Sequence, residues 1–460
     1  MVGVAVVTFL AGLLFGYDQG VISGALPLLT EDLDLSTFES EVITSWVTLG
    51  ALFGALVAGG TADRVGRRWT AIGAGVLFAI GALIEAVAPG AATLTVGRVV
   101  TGLGVGFASV VAPLYAAEMS PKRLRGRFVS TYQLAITVGI FLAYLADDAL
   151  TGSDRWRAMF ALAVIPGVAL VVGFLVMPES ARWLLKVGRR DDAKASLVKV
   201  DGPEVADEEL ATLEADLAEE AREGQASWGE VFSPLLRRAL WVGLGLAIFQ
   251  QVTGINAIIY YANEIFAEAG FTTAEEQAKA TLYAVGLVNV LATFVAVAWV
   301  DRFGRRPLLF TGLVGMGVSL AAVGLSFAAL ENQPEGETST TVGGIVTVLA
   351  LVVFIASFAF SMGPIVWTMI SEIYPNRVRG RAMAVATAVN WFSAFLVAQF
   401  FLSIVDAIGE STTFFLFSAL CGVTFVFVWL LVPETKGRSL EEIQERWVRG
   451  GDRMLDEEPA

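Results

Sequence analysis

The chain has 460 residues, 55% hydrophobic and only 17% charged, with a mean hydropathy of +0.67, which no water-soluble globular composition approaches. Its formal charge of -14 goes with only 6 Lys among 31 basic residues. With no His and a single Cys, Cys421, an internal disulfide is excluded and the usual metal and proton-relay side chain is missing.

Windows of about 20 residues, set against a hydrocarbon core about 30 Å thick, give twelve expected spans. They lie near residues 4-29, 42-61, 69-88, 93-117, 128-147, 156-177, 239-263, 279-300, 308-330, 343-370, 381-406 and 413-433. The first has no basic lead and no small-residue cleavage site, so it reads as a span and not as a removable signal peptide. Within it, FGYDQGVISGA (Phe15 to Ala25) sets one carboxylate, Asp18, in a run otherwise written for lipid. The basic residues fall at the termini, in the central loop and at alternate junctions. Only Arg155, Arg157 and Lys279 lie opposite, and Arg98 lies inside a span. The positive-inside rule then puts both termini and the central loop in the cytoplasm. Acids crowd the first outer loop (Glu31 to Glu41), the central loop and the tail Asp452 to Glu458. A strongly acidic, Lys-poor solvent face points to a halophile, since high salt screens such a surface.

Internal repetition organises the rest. DRVGRR from Asp63 recurs as DRFGRR from Asp301, EMSPKRLRGR from Glu118 as EIYPNRVRGR from Glu372, and PESAR from Pro178 as PETKGR from Pro433. Each pair occupies the same loop of its half. The expected organisation is a six-helix half over 1-188, a cytoplasmic helical linker over 189-238, a second six-helix half over 239-438 and a tail over 439-460. In the linker, Leu210, Leu213 and Leu217 recur at helical spacing among acids, which fits an amphipathic helix on the cytoplasmic surface or, alternatively, a regulatory partner site.

These motifs resemble the sugar porter family of the major facilitator superfamily, from about Phe15 to Glu442. RVVTGLGVG (from Arg98), PLYAAEMSP (from Pro113), QQVTGIN (from Gln250), GPIVWTMISEIYPNRVRGRA (from Gly363) and Asn390-Trp391 add to the likeness. A lone DRxGRR loop would indicate only the superfamily; PESARWL, QQxTGIN and PETKGRSLEEI together are specific to the family. The resemblance implies an all-α fold of twelve transmembrane helices, with a midplane site between the halves.

A sugar is a ring of hydroxyls with apolar faces, so its pocket needs amides that donate and accept, and an aromatic wall. Gln250, Gln251 and Asn256 lie near the bilayer middle. On a straight helix, 100° per residue would leave Gln251 and Asn256 about 140° apart, and Thr253-Gly254 can unwind the helix so that they converge. The resemblance implies sugar hydrogen bonds from Gln133, Gln250, Gln251, Asn256, Asn289 and Asn390, and an aromatic wall of Phe15, Tyr260, Trp367 and Trp391. Singly, each amide is equally an interhelical tie. Gly363-Pro364, just before Trp367, offers a kinked gate.

An ionisable residue within a span needs a partner. Asp18 and Arg98 differ in depth by roughly 9 Å at helical rise, a gap that tilt and a long side chain can close, so they are expected to pair. Such a pair either loads and releases a proton or only fixes packing. The resemblance implies the former, because proton-coupled members carry Asp there and passive carriers typically Asn. Glu85, Asp147, Asp148, Asp406 and Glu264 lie near outer ends, where solvation is expected. A cytoplasmic gate is expected from Glu118, Arg127, Glu179, Arg182 and Glu372, Arg381, Glu434, Arg438, closing the inner side if they interlock across the halves.

The expected protein is a monomeric secondary transporter importing a hexose or pentose with protons, in the plasma membrane. It has no cofactor, metal or nucleic-acid partner, and the lipid bilayer is its solvent. A passive facilitator is the alternative. A sensor is improbable with only about 18 residues beyond Glu442 for a signalling extension, and no nucleophile-base pair, metal cluster or phosphate loop indicates an enzyme. Sodium coupling stays open as an alternative, particularly in a high-salt cell, although one carboxylate beside an Arg makes a poor sodium cage.

Overall fold

The computed structural model describes residues 2-120, 125-151, 155-223, 227-234, 236-299, 303-331 and 342-436. Among them there is no strand, and twelve helical runs are long and apolar enough to cross a membrane. The first half comprises α1 (Val2–Leu33), α2 (Thr37–Val65), α3 (Arg67–Ala86), α4 (Ala91–Met119) and α5 (Arg125–Thr151). Its sixth crossing is shared by α6 (Trp156–Leu162) and α7 (Val164–Val176). Four helices follow that do not cross: α8 (Ala181–Lys186), α9 (Arg190–Asp201), α10 (Pro203–Glu223) and α11 (Trp228–Val231). The second half begins with a broken crossing, α12 (Arg237–Val252), α13 (Ile255–Tyr260) and α14 (Ala262–Glu268). Next, α15 (Ala274–Ala280) runs through a π-helical segment, Thr281–Leu287, into α16 (Val288–Trp299). The remaining crossings are α17 (Arg305–Glu331), a second broken one of α18 (Val342–Phe360) and α19 (Met362–Glu372), α20 (Asn376–Ile408) and α21 (Glu410–Leu431).

Lipid tails are as apolar as Leu, so close backbone contact has to hold such helices together. Gly12, Gly16, Gly20 and Gly24 recur every fourth residue of α1, which puts them on one face. That face lies on α5 against Tyr132, Ile136, Ile140 with Ala143, and Asp147. The glycines of TGLGVG divide in the same manner: Gly102 and Gly106 meet the Val47 and Ala51 carbonyls of α2, while Gly104 meets Phe78 of α3. A β-carbon on Gly16 would collide with the Ile136 carbonyl, and backbone cannot step aside as a side chain can. Overpacking commonly costs about 1–3 kcal/mol, and this collision is with main chain. Gly16→Val is therefore expected to cut folded yield sharply and lower the unfolding midpoint in detergent; an unchanged elution profile and midpoint would contradict the packing.

The repeated motifs fold into two matching knots. In the first half, Arg67 Nε donates to Glu118 Oε2 at 2.9 Å, Ser180 Oγ donates to the same oxygen at 2.5 Å, and Glu179 accepts from the backbone N–H groups of Arg67 and Arg68 at 2.9 and 3.1 Å. In the second, Arg305 Nη2 donates to Glu372 at 3.1 Å, Thr435 Oγ1 donates to Glu372 at 2.5 Å, and Glu434 accepts from the N–H groups of Arg305 and Arg306 at 3.0 and 2.9 Å. In each knot a carboxylate caps the exposed amides that open a helix, a favourable place for negative charge. Burial pushes the Glu179 carboxyl above the usual carboxylate range, against the N–H groups of Ser180, Arg68 and Arg67 that hold it down. Among the described residues these four glutamates take their partners inside their own half, so the interlock across halves on which closure of the inner side was conditional is not made by them in this conformation. Each half carries a complete motif set, so each knot closes on itself.

The linker is three helices, α9 to α11, where one amphipathic helix is expected. Leu210, with Leu213 partly buried beside it, packs on Ala181, Trp183 and Leu184 of α8 and on Ala193 and Leu197 of α9. Arg190–Glu214 and Lys194–Asp207, each 2.6 Å, pin α9 to α10. Arg381 stands 5.3 Å over the Trp228 ring of α11. Arg182 also has a partner, whereas the Arg127 side chain, Arg438 and the tail 439-460 lie outside the described residues.

Candidate functional site

Two interruptions of helix build the centre of the bundle. After Val252 the chain passes through Thr253 to Gly254, which sits at φ +96 in the left-handed region, and resumes as α13 at Ile255. Glycine meets that conformation without the β-carbon penalty other residues would carry. The turn closes the angle that a straight helix would leave, and Asn256 Nδ2 donates to Gln251 Oε1 at 2.8 Å. Across the bundle α18 stops at Phe360 and α19 restarts at Met362, next to Pro364, which supplies no N–H to the new turn. Gln250 Nε2 donates to the carbonyls of Met362 and Gly363 at 2.8 and 3.3 Å.

Asn390 on α20 joins these helices. Its Nδ2 donates to Gln250 Oε1 and to the Ala247 carbonyl, both at 2.9 Å, and its Oδ1 accepts from Gln251 Nε2 at 3.2 Å. One amide from the other half reaches this cluster: Gln19 Nε2 stands 3.5 Å from Asn256 Oδ1 and 3.4 Å from the Tyr260 hydroxyl. Those lengths are at the limit of a hydrogen bond, so a ligand hydroxyl could replace either contact at little loss. Phe15 of α1 meets Trp391 of α20 with ring centroids 5.3 Å apart, an aromatic contact between the halves. Gln133 on α5 and Trp367 on α19 are half-buried. Asn289, just after the π-helical segment, is buried, but among the described residues no hydrogen bond joins Gln133 or Asn289 to the cluster.

Next to Gln19 on the same helix is Asp18. Its Oδ1 is 2.7 Å from Arg98 Nη1, and the two residues are 3% and 0% exposed. Arg98 Nε also donates to the Ile43 carbonyl at 3.0 Å, and the Phe160 ring lies 6.0 Å from the guanidinium. A second carboxylate shares the site: Glu85 Oε1 is 3.9 Å from the same Nη1 and accepts from Thr101 Oγ1 at 2.7 Å. Solvation, the expectation for Glu85 and Asp147, is overturned: they are 1% and 2% exposed. Gly97 leaves room for Glu85, and Gly24 both makes room for Asp147 and donates its N–H to Asp147 Oδ2 at 3.2 Å. Glycines thus let the helix ends close over acids that would otherwise reach water. Asp406 is exposed as expected, while Asp148 and Glu264 are half-buried.

Side-chain hydrogen bonds between the two halves lie, among the described residues, from the centre towards the end opposite the termini. Glu41 of α2 accepts from Ser403 N and Oγ of α20, both at 2.7 Å, and one turn further in Ser45 Oγ donates to Gln399 Oε1 at 2.8 Å. Ser23 meets Asn263 at 3.5 Å, and Tyr144 donates its hydroxyl to the Ile259 carbonyl at 2.8 Å. Glu41, expected among the solvated acids of the first loop, is 1% exposed. Sequence reading did not single out Gln19, Ser45, Ser403 or Gln399; only Gln19 carried a signal, as an amide beside the intramembrane acid.

Two six-helix halves closed at one end over a midplane cluster of amides and aromatics define a membrane transporter. The family model described as Sugar (and other) transporter matches residues 4–447, and the chain belongs to that family. It is 39% identical over 453 residues to the Arabinose-proton symporter of Escherichia coli (strain K12), covering 97% of this chain and 93% of that one. It is 38% identical over 451 residues to the Major myo-inositol transporter IolT of Bacillus subtilis (strain 168), with 96% and 93% covered. Among solved structures, the partially occluded inward open conformation of the xylose transporter XylE from E. coli superposes with a TM-score of 0.81 at 29% identity, covering 95% of this chain and 99% of that chain. The protein is accordingly a sugar transporter, not an enzyme.

Proposed function

We propose that this protein imports a monosaccharide, a hexose or pentose, by proton symport through alternating access. It acts as a monomer in the plasma membrane, with both termini and the helical linker in the cytoplasm. The observation that carries the reading is the adjacency of Asp18, held by Arg98 at 2.7 Å, to Gln19, whose amide reaches the Asn256 cluster. Proton and sugar sites so joined on one helix can each alter the other's occupancy, which is what coupling requires. The sugar would be held by Gln133, Gln250, Gln251, Asn256, Asn289 and Asn390 against Phe15, Tyr260, Trp367 and Trp391. With this orientation, the seam closed at the end opposite the termini makes the arrangement inward-facing. The acidic, Lys-poor solvent face supports a high-salt habitat.

Purified protein in liposomes, given a panel of labelled hexoses, pentoses and inositol under an imposed pH or Na⁺ gradient, tests the proposal. A pH gradient is expected to drive accumulation of at least one sugar, and a Na⁺ gradient alone none. Counterflow without accumulation under either gradient would make the protein a passive facilitator, and absence of both would leave no transport role.

A further inference from the structure

We propose that Glu85 is a relay carboxyl: it shares one proton with Asp18 about Arg98, and hands that proton to Asp18 as the guanidinium changes partner. Both carboxyls address the same Arg98 Nη1, at 2.7 Å for Asp18 and 3.9 Å for Glu85, and all three residues are at most 3% exposed. Two carboxylates and one guanidinium leave an uncompensated negative charge inside the bilayer if both acids are ionised. Such a charge is costly and is relieved by binding a proton. The elements packed around the group supply no second cation among the described residues: α6 offers the Phe160 ring, and α13 the neutral Tyr260 phenol, hydrogen-bonded to Gln19. The distances say which acid holds the proton. A separation of 2.7 Å is that of a charge-assisted bond, so Asp18 is ionised; Glu85, further from the charge and accepting from Thr101, is the protonated partner.

The site is built for the exchange. Arg98 Nη2 is buried without a hydrogen-bond partner, a donor in reserve for a second carboxylate. Gly97 keeps the space that the Glu85 side chain fills. In the transfer the O–H bond on Glu85 breaks, one forms on Asp18, and the guanidinium moves the opposite way, so the group stays neutral throughout. Without Glu85, a protonated Asp18 would strand Arg98 as a lone buried cation.

Infrared spectra of wild type, Glu85→Gln and Asp18→Asn in lipid nanodiscs at neutral pH test the shared proton. Glu85→Gln is expected to lose one protonated-carboxyl carbonyl band, because Asp18 is ionised. Asp18→Asn is expected to lose the same band, because Glu85 must then ionise to hold Arg98. Retention of the band in either variant overturns the proposal, and the Asp18→Asn arm decides it if Glu85→Gln fails to elute as folded protein. In liposomes, Glu85→Gln should need at least about tenfold more external protons for half-maximal accumulation; an unshifted pH profile would confine Glu85 to packing and overturn the relay. The transport arm rests on the proton-coupled reading. If wild type accumulates no sugar under a pH gradient, that reading falls, while the infrared result still decides the shared proton.

Discussion

Asp18→Asn is expected to abolish uphill sugar accumulation while sugar exchange across the membrane persists. A pH difference of one unit is worth about 1.4 kcal/mol per proton, which sustains a roughly tenfold accumulation ratio at one proton per sugar. Asparagine keeps the shape and a hydrogen bond to Arg98 but cannot take up a proton, so the ratio should fall to one at any imposed gradient. Exchange needs only the sugar site and the two conformations. Glu85, 3.9 Å from Arg98, remains to neutralise the guanidinium, so the variant should insert and fold. The measurement is labelled sugar in proteoliposomes, with and without the gradient. Accumulation undiminished in the variant would remove Asp18 from coupling and leave the Asp18–Arg98 pair as a packing device.

The second large effect is expected at Gln251. It accepts from Asn256 at 2.8 Å and donates to Asn390 at 3.2 Å, so Gln251→Ala strips a partner from each of two buried amides. An unsatisfied buried polar group costs about 1–3 kcal/mol. Asn256 and Asn390 are the two amides left short of a partner. A bound sugar needs them fixed in place, so much of the loss should appear in affinity. We expect sugar binding to weaken about 10- to 100-fold, which corresponds to roughly 1.4 to 2.8 kcal/mol. Trp391, packed on Phe15, provides a fluorescence signal for the titration. Wild-type affinity combined with a lowered unfolding midpoint would make Gln251 an interhelical tie and remove it from the sugar site.

Much of this arrangement is legible in the sequence because charge inside a lipid-like run is rare and has few possible partners. Asp18 and Arg98 could be matched because each is a charge inside a span that needs a partner, despite a depth difference of roughly 9 Å at helical rise. The convergence of Gln251 and Asn256 follows from one glycine placed where a straight helix would part them. Glu85, Asp147 and Glu41 were less readable. Their depth near helix ends suggests water, and what buries them is contact geometry: Gly97 beside Glu85, Gly24 beside Asp147, and Ser403 from the other half against Glu41. Hydropathy registers how deep a residue lies along its own helix but not how near the next helix comes. The repeated Arg and Glu motifs show the same limit. Repetition reveals that each half has the set, yet pairing within a half and pairing across halves leave identical sequence. Gln19 was hidden by its neighbour, since an acid in a span draws the eye from the amide beside it.

The two knots have a further consequence. Arg67–Glu118–Ser180 and Arg305–Glu372–Thr435 each close within one half, so under the proposed alternating access a rocking of one half on the other would leave them intact, whereas the bonds of Glu41, Ser45 and Ser23 would have to break and re-form in every cycle. Endurance and speed are thereby assigned to different residues. Substitutions at the seam can tune turnover without weakening either half, and substitutions in the knots can harden the protein against heat or salt without retuning its rate. A lineage moving to a new sugar supply or a hotter habitat would have two separate sets of positions on which selection could act.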